Sequence, residues 1–329
     1  MAATMIPPPH APAFLAANGW GGAEILPLAG DASFRRYFRV VDGARTAVLM
    51  DAPPEHEDVG PFVVIAAHLV SLGLSAPVCH AEDRGGGLLL LEDFGDRLVG
   101  PLLVEDASGE EAIYRDAIDL LAALSREPLP VGLPPYDMAV FRREIDLFTQ
   151  WYAPALDLDV DLVGWRSAWD AVLTRVVDPD PRVLVLRDYH AENLILLDRP
   201  GLRGLGLLDF QDGLAGHPAY DLVSLLQDAR RDVAPALEAA MLERYAAEAG
   251  IIDDDRFRAD YEILGAQRNT KILGIFTRLW KRDGKERYTA FQPRMWGYVE
   301  RNLAHPALAP VAAWFDANIP AAKRAAAWV

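Results

Sequence analysis

The stretch LRDYHAENLILLDRPGLRGLGLLDFQDG, from Leu186 to Gly213, decides the fold. It spans two short apolar runs, and each run ends at an aspartate, Asp188 or Asp209. Asn193 follows the first of these aspartates by five residues. The acidic residues are either ordinary turn residues at strand ends or members of a set that binds metal and phosphate.

Phosphoryl transfer needs positioning, a base near the acceptor hydroxyl and a divalent metal on the phosphate oxygens. Magnesium prefers hard oxygen ligands, usually one or two carboxylates or amides with phosphate and water. The kinase catalytic loop has an Asp and an Asn at the interval of Asp188 and Asn193, and its metal-binding Asp opens an Asp-Phe pair, as Asp209-Phe210 does. A hairpin-like connection would place the two strand ends side by side. The pattern as a whole favours a kinase.

Composition restricts the possible partners. The chain has 329 residues, is 51% hydrophobic and carries a net charge of −16, without a basic block. This charge disfavours nucleic acids and anionic membranes as partners. No apolar run reaches the ~20 residues that cross a bilayer, and the N-terminus lacks the basic region of a signal peptide. We therefore expect a cytoplasmic monomer without a nucleic-acid or membrane partner.

The first ninety or so residues predict strands with one helix among them. Residues 34–41 alternate in polarity, and a turn at Asp42-Gly43 joins them to residues 46–50, which predicts a hairpin. A helix is expected from Pro61 to Gly73, followed by two further strands. After about Phe94 the pattern becomes helical.

Three segments of the C-terminal part, residues 110–126, 140–152 and 162–177, follow the 3.6-residue period of amphipathic helices. Two short apolar strands interrupt them, and helices resume from Tyr220 to the end. The chain thus predicts an α+β fold. We expect a small, strand-rich N-terminal lobe at residues 1–93 and a larger helical lobe at residues 94–329.

The motifs LRDYHAENLI, LLDFQDG and GHPAYDL resemble the aminoglycoside phosphotransferase branch of the protein-kinase-like superfamily. That branch commonly reads His-Gly-Asp-Leu-His-x-x-Asn, Ile-Asp-Phe and Gly-x-Pro-x-Tyr-Asp; this chain has Leu-Arg in place of His-Gly. The resemblance implies a bilobal kinase fold with ATP in the cleft. It implies that Asp188 is the catalytic base, that Asn193 and Asp209 bind Mg²⁺, and that Asp221 supports the catalytic loop.

The segments AGDASFRRYFRV, VLMDAPPE and QRNTKILGIFTRLWKRDGKERYTAFQPRMWGYV are similar to a narrower group, the bacterial anomeric sugar kinases. Members of that group phosphorylate the C1 hydroxyl of N-acetylmuramate and N-acetylglucosamine during peptidoglycan recycling. The resemblance runs from about Leu28 to Asn302. Two alternatives remain: a small-molecule kinase for choline-like, homoserine-like or antibiotic substrates, and a pseudokinase that binds nucleotide as a switch.

The N-terminal lobe departs from the kinase pattern, which uses a glycine-rich loop and a strand lysine on the phosphates. The loop has only Gly30, the strand ends in Met50, and the first lysine of the chain is Lys271. Either the lobe is inactive or an arginine does this work, since a guanidinium binds phosphate in a bidentate manner. The predicted nucleotide-binding residues are Ser33, Phe34, Arg35, Arg36, Glu92 and Phe94.

The last long helix bears on the substrate. Arg268 lies on its apolar stripe and needs a partner, either a buried carboxylate or a bound anion such as a lactyl carboxylate. A second face, with Gln267, Lys271, Gly274 and Arg278, is either solvated or a pocket wall where the glycine admits the ligand. These basic groups favour an anionic sugar over a cationic aminoglycoside. The predicted substrate-binding residues are Asp188, Arg268, Asn269, Lys271 and Arg278.

Overall fold

The computed structural model of the protein describes residues 5–30 and 34–324. Its strands are β1 (Glu24–Gly30), β2 (Arg36–Asp42), β3 (Arg45–Asp51), β4 (Cys79–Asp83), β5 (Leu88–Glu92), β6 (Val183–Val185), β7 (Leu194–Leu196), β8 (Leu205–Leu207) and β9 (Leu214–Gly216). Its helices are α1 (Ala11–Ala17), α2 (Gly60–Ser71), α3 (Val99–Glu105), α4 (Glu110–Leu124), α5 (Met138–Leu147), α6 (Ala153–Ala155), α7 (Leu162–Leu173), α8 (Ala219–Leu226), α9 (Pro235–Ala249), α10 (Asp255–Asp283), α11 (Gln292–Leu303), α12 (Ala309–Asn318) and α13 (Ala321–Arg324). A π-helical segment, Phe148–Tyr152, joins α5 to α6.

The chain packs as two compact units. The sheet unit consists of Met1–Glu105 and Glu192–Asp212, and the helical unit of Asp106–Ala191 and Gly213–Val329. The chain therefore returns to the sheet unit after it has begun the helical one. These packing units divide the chain after Glu105, Ala191 and Asp212. The predicted boundary near residue 93 concerns the two functional lobes and stays a prediction.

The sheet unit is built on an antiparallel sheet of order β1-β2-β3-β5-β4. The predicted hairpin is confirmed, because Asp42 pairs with Arg45 and Gly43 adopts the positive φ of 61° that such a tight turn needs. Alternate residues such as Phe38 and Leu49 form the core under this sheet. Helix α1 also packs on that core, and it is an addition to the single helix expected in this region.

Residues 192–212 give the sheet unit a second, two-stranded sheet, in which β7 pairs with β8. Leu98 bridges to Ile195, and Ser75 bridges to Gly206, so both strands are tied to the N-terminal residues of the same unit. The strand β8 was expected from its apolar run, whereas β7 was not.

The helical unit is organised around α10, which packs against α5, α8 and α11. Asp254 caps the start of α10 by accepting a hydrogen bond from Phe257 N, and Gly284, at a φ of 67°, ends it. The helices expected over residues 110–126, 140–152 and 162–177 are present as α4, α5 with its π-helical continuation, and α7. No helix of residues 5–30 and 34–324 has the length and apolar character needed to cross a bilayer.

The expected pairing of the strands that precede Asp188 and Asp209 is wrong. Strand β6 pairs with β9, and β8 pairs with β7. Each of these short strands therefore has a partner close to it in its own unit. The α+β prediction is confirmed, since a small antiparallel sheet accompanies a helical remainder.

Candidate active site

In the helical unit, Asp188 lies in the loop that follows β6. The backbone before it is held by Asp221, whose carboxylate accepts hydrogen bonds from Leu186 N at 2.6 Å and Arg187 N at 2.8 Å. Arg187 has a positive φ of 70°, a conformation that costs a non-glycine residue on the order of 1 kcal/mol. Asp221 is therefore placed to hold the strained peptide next to Asp188, and its predicted support of the catalytic loop in the reaction stays a prediction.

The contacts of the Arg187 side chain explain why this chain has an arginine at the position where related motifs have glycine. Its guanidinium forms an ion pair with Glu144 and lies 5.8 Å from the centroid of the Tyr136 ring. Glu144 also accepts hydrogen bonds from Gln267 Nε2 at 3.0 Å and from Lys271 Nζ at 3.2 Å. Burial alone would raise the pKa of Glu144, but the charges of Lys271 and Arg187 lower it to about 2.

Glu144 was missed by the sequence reasoning. The available signal was its position within the apolar stripe of the segment at residues 140–152, next to Ile145 and one turn from Phe141. A carboxylate on such a stripe needs a buried partner. The partners themselves come from α10 and from the catalytic loop, which no local pattern relates to α5.

Asp188 is partly buried and surrounded by positive charge. Burial alone would raise the pKa of its carboxyl group, but the charges of Lys271, Arg268 and Arg187 outweigh burial and lower the pKa below its ordinary value. Asp188 is thus ionised at neutral pH. An ionised carboxylate accepts a hydrogen bond from a hydroxyl group and can orient its oxygen for attack.

The predicted substrate-binding residues of α10 differ in what they contact. Asn269 Nδ2 donates to Gln227 Oε1 at 2.6 Å and to Asn302 Oδ1 at 3.1 Å. Lys271 Nζ binds Glu144 at 3.2 Å and Tyr220 Oη at 3.1 Å. Both side chains are therefore engaged inside the helical unit, and their contact with substrate stays a prediction.

The second face of α10 is neither solvated nor a pocket wall at Gly274. Its Gln267 and Lys271 are buried, and a methyl group added at Gly274 would lie 2.7 Å from Phe148 N. The glycine admits the neighbouring helix backbone, not a ligand. Arg278, further along this face, is half-buried, and burial lowers its pKa.

In the sheet unit, the β7–β8 hairpin brings Asn193 and Asp209 together. Leu208 N donates to Asn193 O at 3.0 Å, and Asn193 Nδ2 lies 3.5 Å from Asp209 Oδ2. Gln211 Nε2 donates to Asp209 Oδ1 at 2.9 Å. Asp209 has a positive φ of 57° and a side chain that is 41% exposed.

This pair suits magnesium by its donor chemistry. A rotation of the Asn193 amide presents an oxygen in place of nitrogen, so one amide and one carboxylate oxygen become available with Asp209. Residues 5–30 and 34–324 contain no group of three His, Cys, Asp or Glu side chains arranged for a metal. Magnesium is usually held by few protein oxygens, and phosphate and water complete its shell. A site made of Asn193 and Asp209 alone agrees with this habit.

The two candidate arginines of the sheet unit have different partners. Arg35 Nη1 lies 3.6 Å from Glu57 Oε2, and its Nη2 lies 3.4 Å from Asp209 Oδ1. Arg36 Nε instead donates to Asp51 at 2.8 Å, and Arg36 Nη1 donates to a backbone oxygen at 3.1 Å. Only Arg35 is therefore placed beside the predicted metal ligand. Glu57, its second partner, was not identified from the sequence.

The remaining predicted nucleotide contacts are spread over the sheet unit. Ser33 lies outside the described residues. Phe34 stacks on His56 with ring centroids 4.2 Å apart. Glu92 forms an ion pair with Arg199, whose guanidinium lies 5.2 Å from the Phe94 ring centroid. Their contact with nucleotide remains a prediction.

The fold and these residues define a protein-kinase-like phosphotransferase. A choline/ethanolamine kinase family protein from Mesorhizobium loti has the same fold, with a TM-score of 0.63, 16% identity, and coverage of 92% of this chain and 98% of that one. The model of the phosphotransferase enzyme family, APH, matches residues 24–260. The chain belongs to this phosphotransferase enzyme family, which confirms the resemblance seen in its motifs.

Two curated relatives are similar over most of their length. The N-acetylmuramate/N-acetylglucosamine kinase of Caulobacter vibrioides is 40% identical over 352 residues, which cover 95% of this chain and 96% of that protein. The N-acetylmuramate/N-acetylglucosamine kinase of Pseudomonas aeruginosa is 40% identical over 308 residues, which cover 89% and 88%. The names of these relatives contain the same two sugars as the narrower group that the sequence segments resemble.

Proposed function

We propose that the protein is an ATP-dependent kinase that phosphorylates the anomeric C1 hydroxyl of N-acetylmuramate and N-acetylglucosamine. The names of four relatives, 36–40% identical over 86–95% of this chain, support the choice of sugar. The observation that carries the chemical part is the Asp188 carboxylate, kept ionised by Lys271, Arg268 and Arg187 on a loop that Asp221 holds.

In the proposed reaction, Asp188 accepts a hydrogen bond from the C1 hydroxyl and orients its oxygen. That oxygen forms a bond to the γ-phosphorus of ATP, the bond from this phosphorus to the bridging oxygen of ADP breaks, and the hydroxyl proton passes to Asp188. An anomeric hydroxyl is more acidic than an ordinary alcohol. An acceptor as weakly basic as a carboxylate is therefore sufficient.

We assign Asn193 and Asp209 as the residues that would hold magnesium. When bound, the metal neutralises charge on the phosphate oxygens. The amide and carboxylate oxygens of this pair match the ligands that magnesium prefers. Gln211, through its 2.9 Å hydrogen bond, fixes the orientation of the Asp209 carboxylate.

We assign Arg35 to the role that a strand lysine has in other kinases. No lysine precedes Lys271, so the sheet unit has no lysine of its own. Arg35 has the features of such a group: a glutamate partner, Glu57, and a position 3.4 Å from Asp209. Its planar fork binds phosphate oxygens in pairs. This assignment argues against an inactive nucleotide switch.

We further propose a cytoplasmic monomer that acts in cell-wall recycling on free amino sugars. The net charge of −16 supports small neutral or anionic ligands in place of nucleic acid or anionic lipid. The buried cation Arg268, whose Nη1 has no hydrogen-bond partner among the described residues, supports a substrate that carries negative charge.

Phosphorus NMR of the full chain with Mg-ATP and each amino sugar tests this function. We expect an anomeric phosphate doublet with both sugars and none without sugar. Asp188→Asn should lower kcat at least 1,000-fold, while Asp198→Asn, in the turn after β7, retains normal turnover. The absence of a doublet with either sugar would refute the substrate, and near-normal turnover by Asp188→Asn would refute the assigned base.

A further inference from the structure

Arg268 is an unusual residue of the α10 interior. Its side chain is 3% exposed, and its Nη1 atom has no hydrogen-bond partner among the described residues. A buried guanidinium without an acceptor is costly, because the group loses its hydration and gains no compensating bond. Such a residue is expected to have a ligand that supplies the acceptor.

Other buried polar atoms nearby on α10 also lack a partner among the described residues, namely Gln267 Oε1, Asn269 Oδ1 and Thr270 Oγ1, but these groups are neutral. Asn269 is engaged by Gln227 and Asn302, and Lys271 is engaged by Glu144 and Tyr220. Arg268 is therefore the buried cation of this part of α10 that lacks a hydrogen-bonded carboxylate among the described residues.

The position of Arg268 relative to the reaction follows from the charges that it affects. Its positive charge contributes to lowering the pKa of Asp188 and also acts on Asp221. The oxygens of Asp221 already accept hydrogen bonds from Leu186 N and Arg187 N. The guanidinium thus lies near the catalytic loop, and its Nη1 atom donates no hydrogen bond to these carboxylates.

We propose that Arg268 binds the carboxylate of an acidic amino sugar and thereby selects N-acetylmuramate over N-acetylglucosamine. This inference rests on the proposed function, since the two sugars differ by a lactyl group that only N-acetylmuramate carries. A guanidinium matches a carboxylate with two parallel hydrogen bonds and holds it in one orientation. The neutral sugar leaves Arg268 without this partner and is the weaker substrate.

The test compares kcat/KM for three sugars: N-acetylmuramate, its lactyl methyl ester and N-acetylglucosamine. With the wild-type protein, we expect esterification to reduce kcat/KM at least 30-fold, toward the value for N-acetylglucosamine. Arg268→Met should reduce the ratio of kcat/KM for N-acetylmuramate to that for N-acetylglucosamine by a similar factor, mainly through KM. Arg268→Lys should restore part of the ratio.

Arg282→Met is the matched control, because Arg282 is an exposed arginine at the end of the same helix and pairs with its neighbour Asp283. It should leave the ratio unchanged. Calorimetric binding of N-acetylmuramate without ATP provides a readout apart from turnover, and Arg268→Met should weaken it at least 30-fold. The methyl ester keeps the test valid for the wild-type chain even if the Arg268 variants fold poorly.

Different failures have different signatures. An equal loss for both sugars in Arg268→Met would mean that Arg268 only positions the catalytic loop, and it would overturn the inference. Equal wild-type kcat/KM for N-acetylmuramate and its ester would overturn it as well. A wild-type protein that phosphorylates neither sugar would refute the proposed function itself.

Discussion

At the residue scale, the proposal that Arg35 takes the place of the missing strand lysine can be tested directly. Removing its charge from beside Asp209 and Glu57 should weaken phosphate binding and reduce kcat/KM for ATP on the order of 100-fold, the size typical of a lost electrostatic contact. Arg35→Met should show this loss, and Arg35→Lys should recover part of it. Steady-state kinetics with varied ATP and calorimetric ADP binding measure both effects.

Arg84→Met is the control for this experiment, because Arg84 is an exposed arginine of the same unit that pairs with Glu82. It should leave ATP kinetics unchanged. If Arg35→Met binds nucleotide and turns over like the wild type, the assignment of Arg35 is wrong.

Individual residues show which parts of the candidate site can be predicted from the sequence. The sequence could propose Asp188, Asn193 and Asp209 as site residues because their spacing is local and their chemistry is specific, and their roles stay predictions. Glu144 and Glu57 were not, because their importance comes from the partners that tertiary packing gives them. The sequence left Arg35 and Arg36 as equal candidates, and only their ion pairs separate them.

At the element scale, the contact of α10 with the start of the π-helical segment depends on one glycine. A methyl group at Gly274 would meet the backbone of Leu147 and Phe148, which has no flexible side chain to move aside. Gly274→Ala should therefore lower the free energy of unfolding by about 1–3 kcal/mol, the usual cost of overpacking. Urea denaturation followed by circular dichroism measures this change.

Gly297 on α11 provides a matched control, since it is also helical and exposed, with no heavy atom within 4 Å of an added methyl group. Gly297→Ala should be neutral or stabilising by up to about 1 kcal/mol, because alanine favours helix more than glycine does. Similar effects of the two substitutions would show that the close helix approach is not what Gly274 provides.

Elements also show where local patterns fail. Helical periodicity located α4, α5 and α7, because an apolar face repeats within each segment. Strands of three residues have no comparable signal, so the sequence did not predict β7 and β9, which are the partners of β8 and β6. The expected pairing of the two Asp-terminated strands failed for this reason.

At the scale of the whole molecule, the order of the chain does not follow its packing. The alternation and periodicity of apolar residues correctly predicted a strand-rich part followed by a helical one, but residues 192–212 belong with the sheet unit. Contacts between residues far apart in sequence, such as Ser75 with Gly206, make this assignment. No composition change marks such a return.

The free energy of unfolding of the whole chain depends on pH, and Glu144 contributes to this dependence. Its pKa falls from 4.5 to about 2 on folding, so its contribution is complete above pH 4.5 and is lost as the pH falls toward 2. The loss amounts to about 3 kcal/mol. Glu144→Gln should cost about 3–5 kcal/mol at pH 7, because it leaves buried cations without their partner.

The difference in unfolding free energy between the wild type and Glu144→Gln should therefore shrink as the pH falls from 4.5 to 3. Over this range Glu144 takes up a proton in the unfolded wild type, whereas its carboxylate stays charged in the folded protein, so unfolding of the wild type becomes easier. Urea titrations at pH 7, 4.5 and 3 measure this difference. Glu111→Gln, which removes an exposed carboxylate paired with Arg115, should follow the wild type at every pH. A difference that stays constant from pH 7 to pH 3 would show that the Glu144 carboxylate is not the group that titrates.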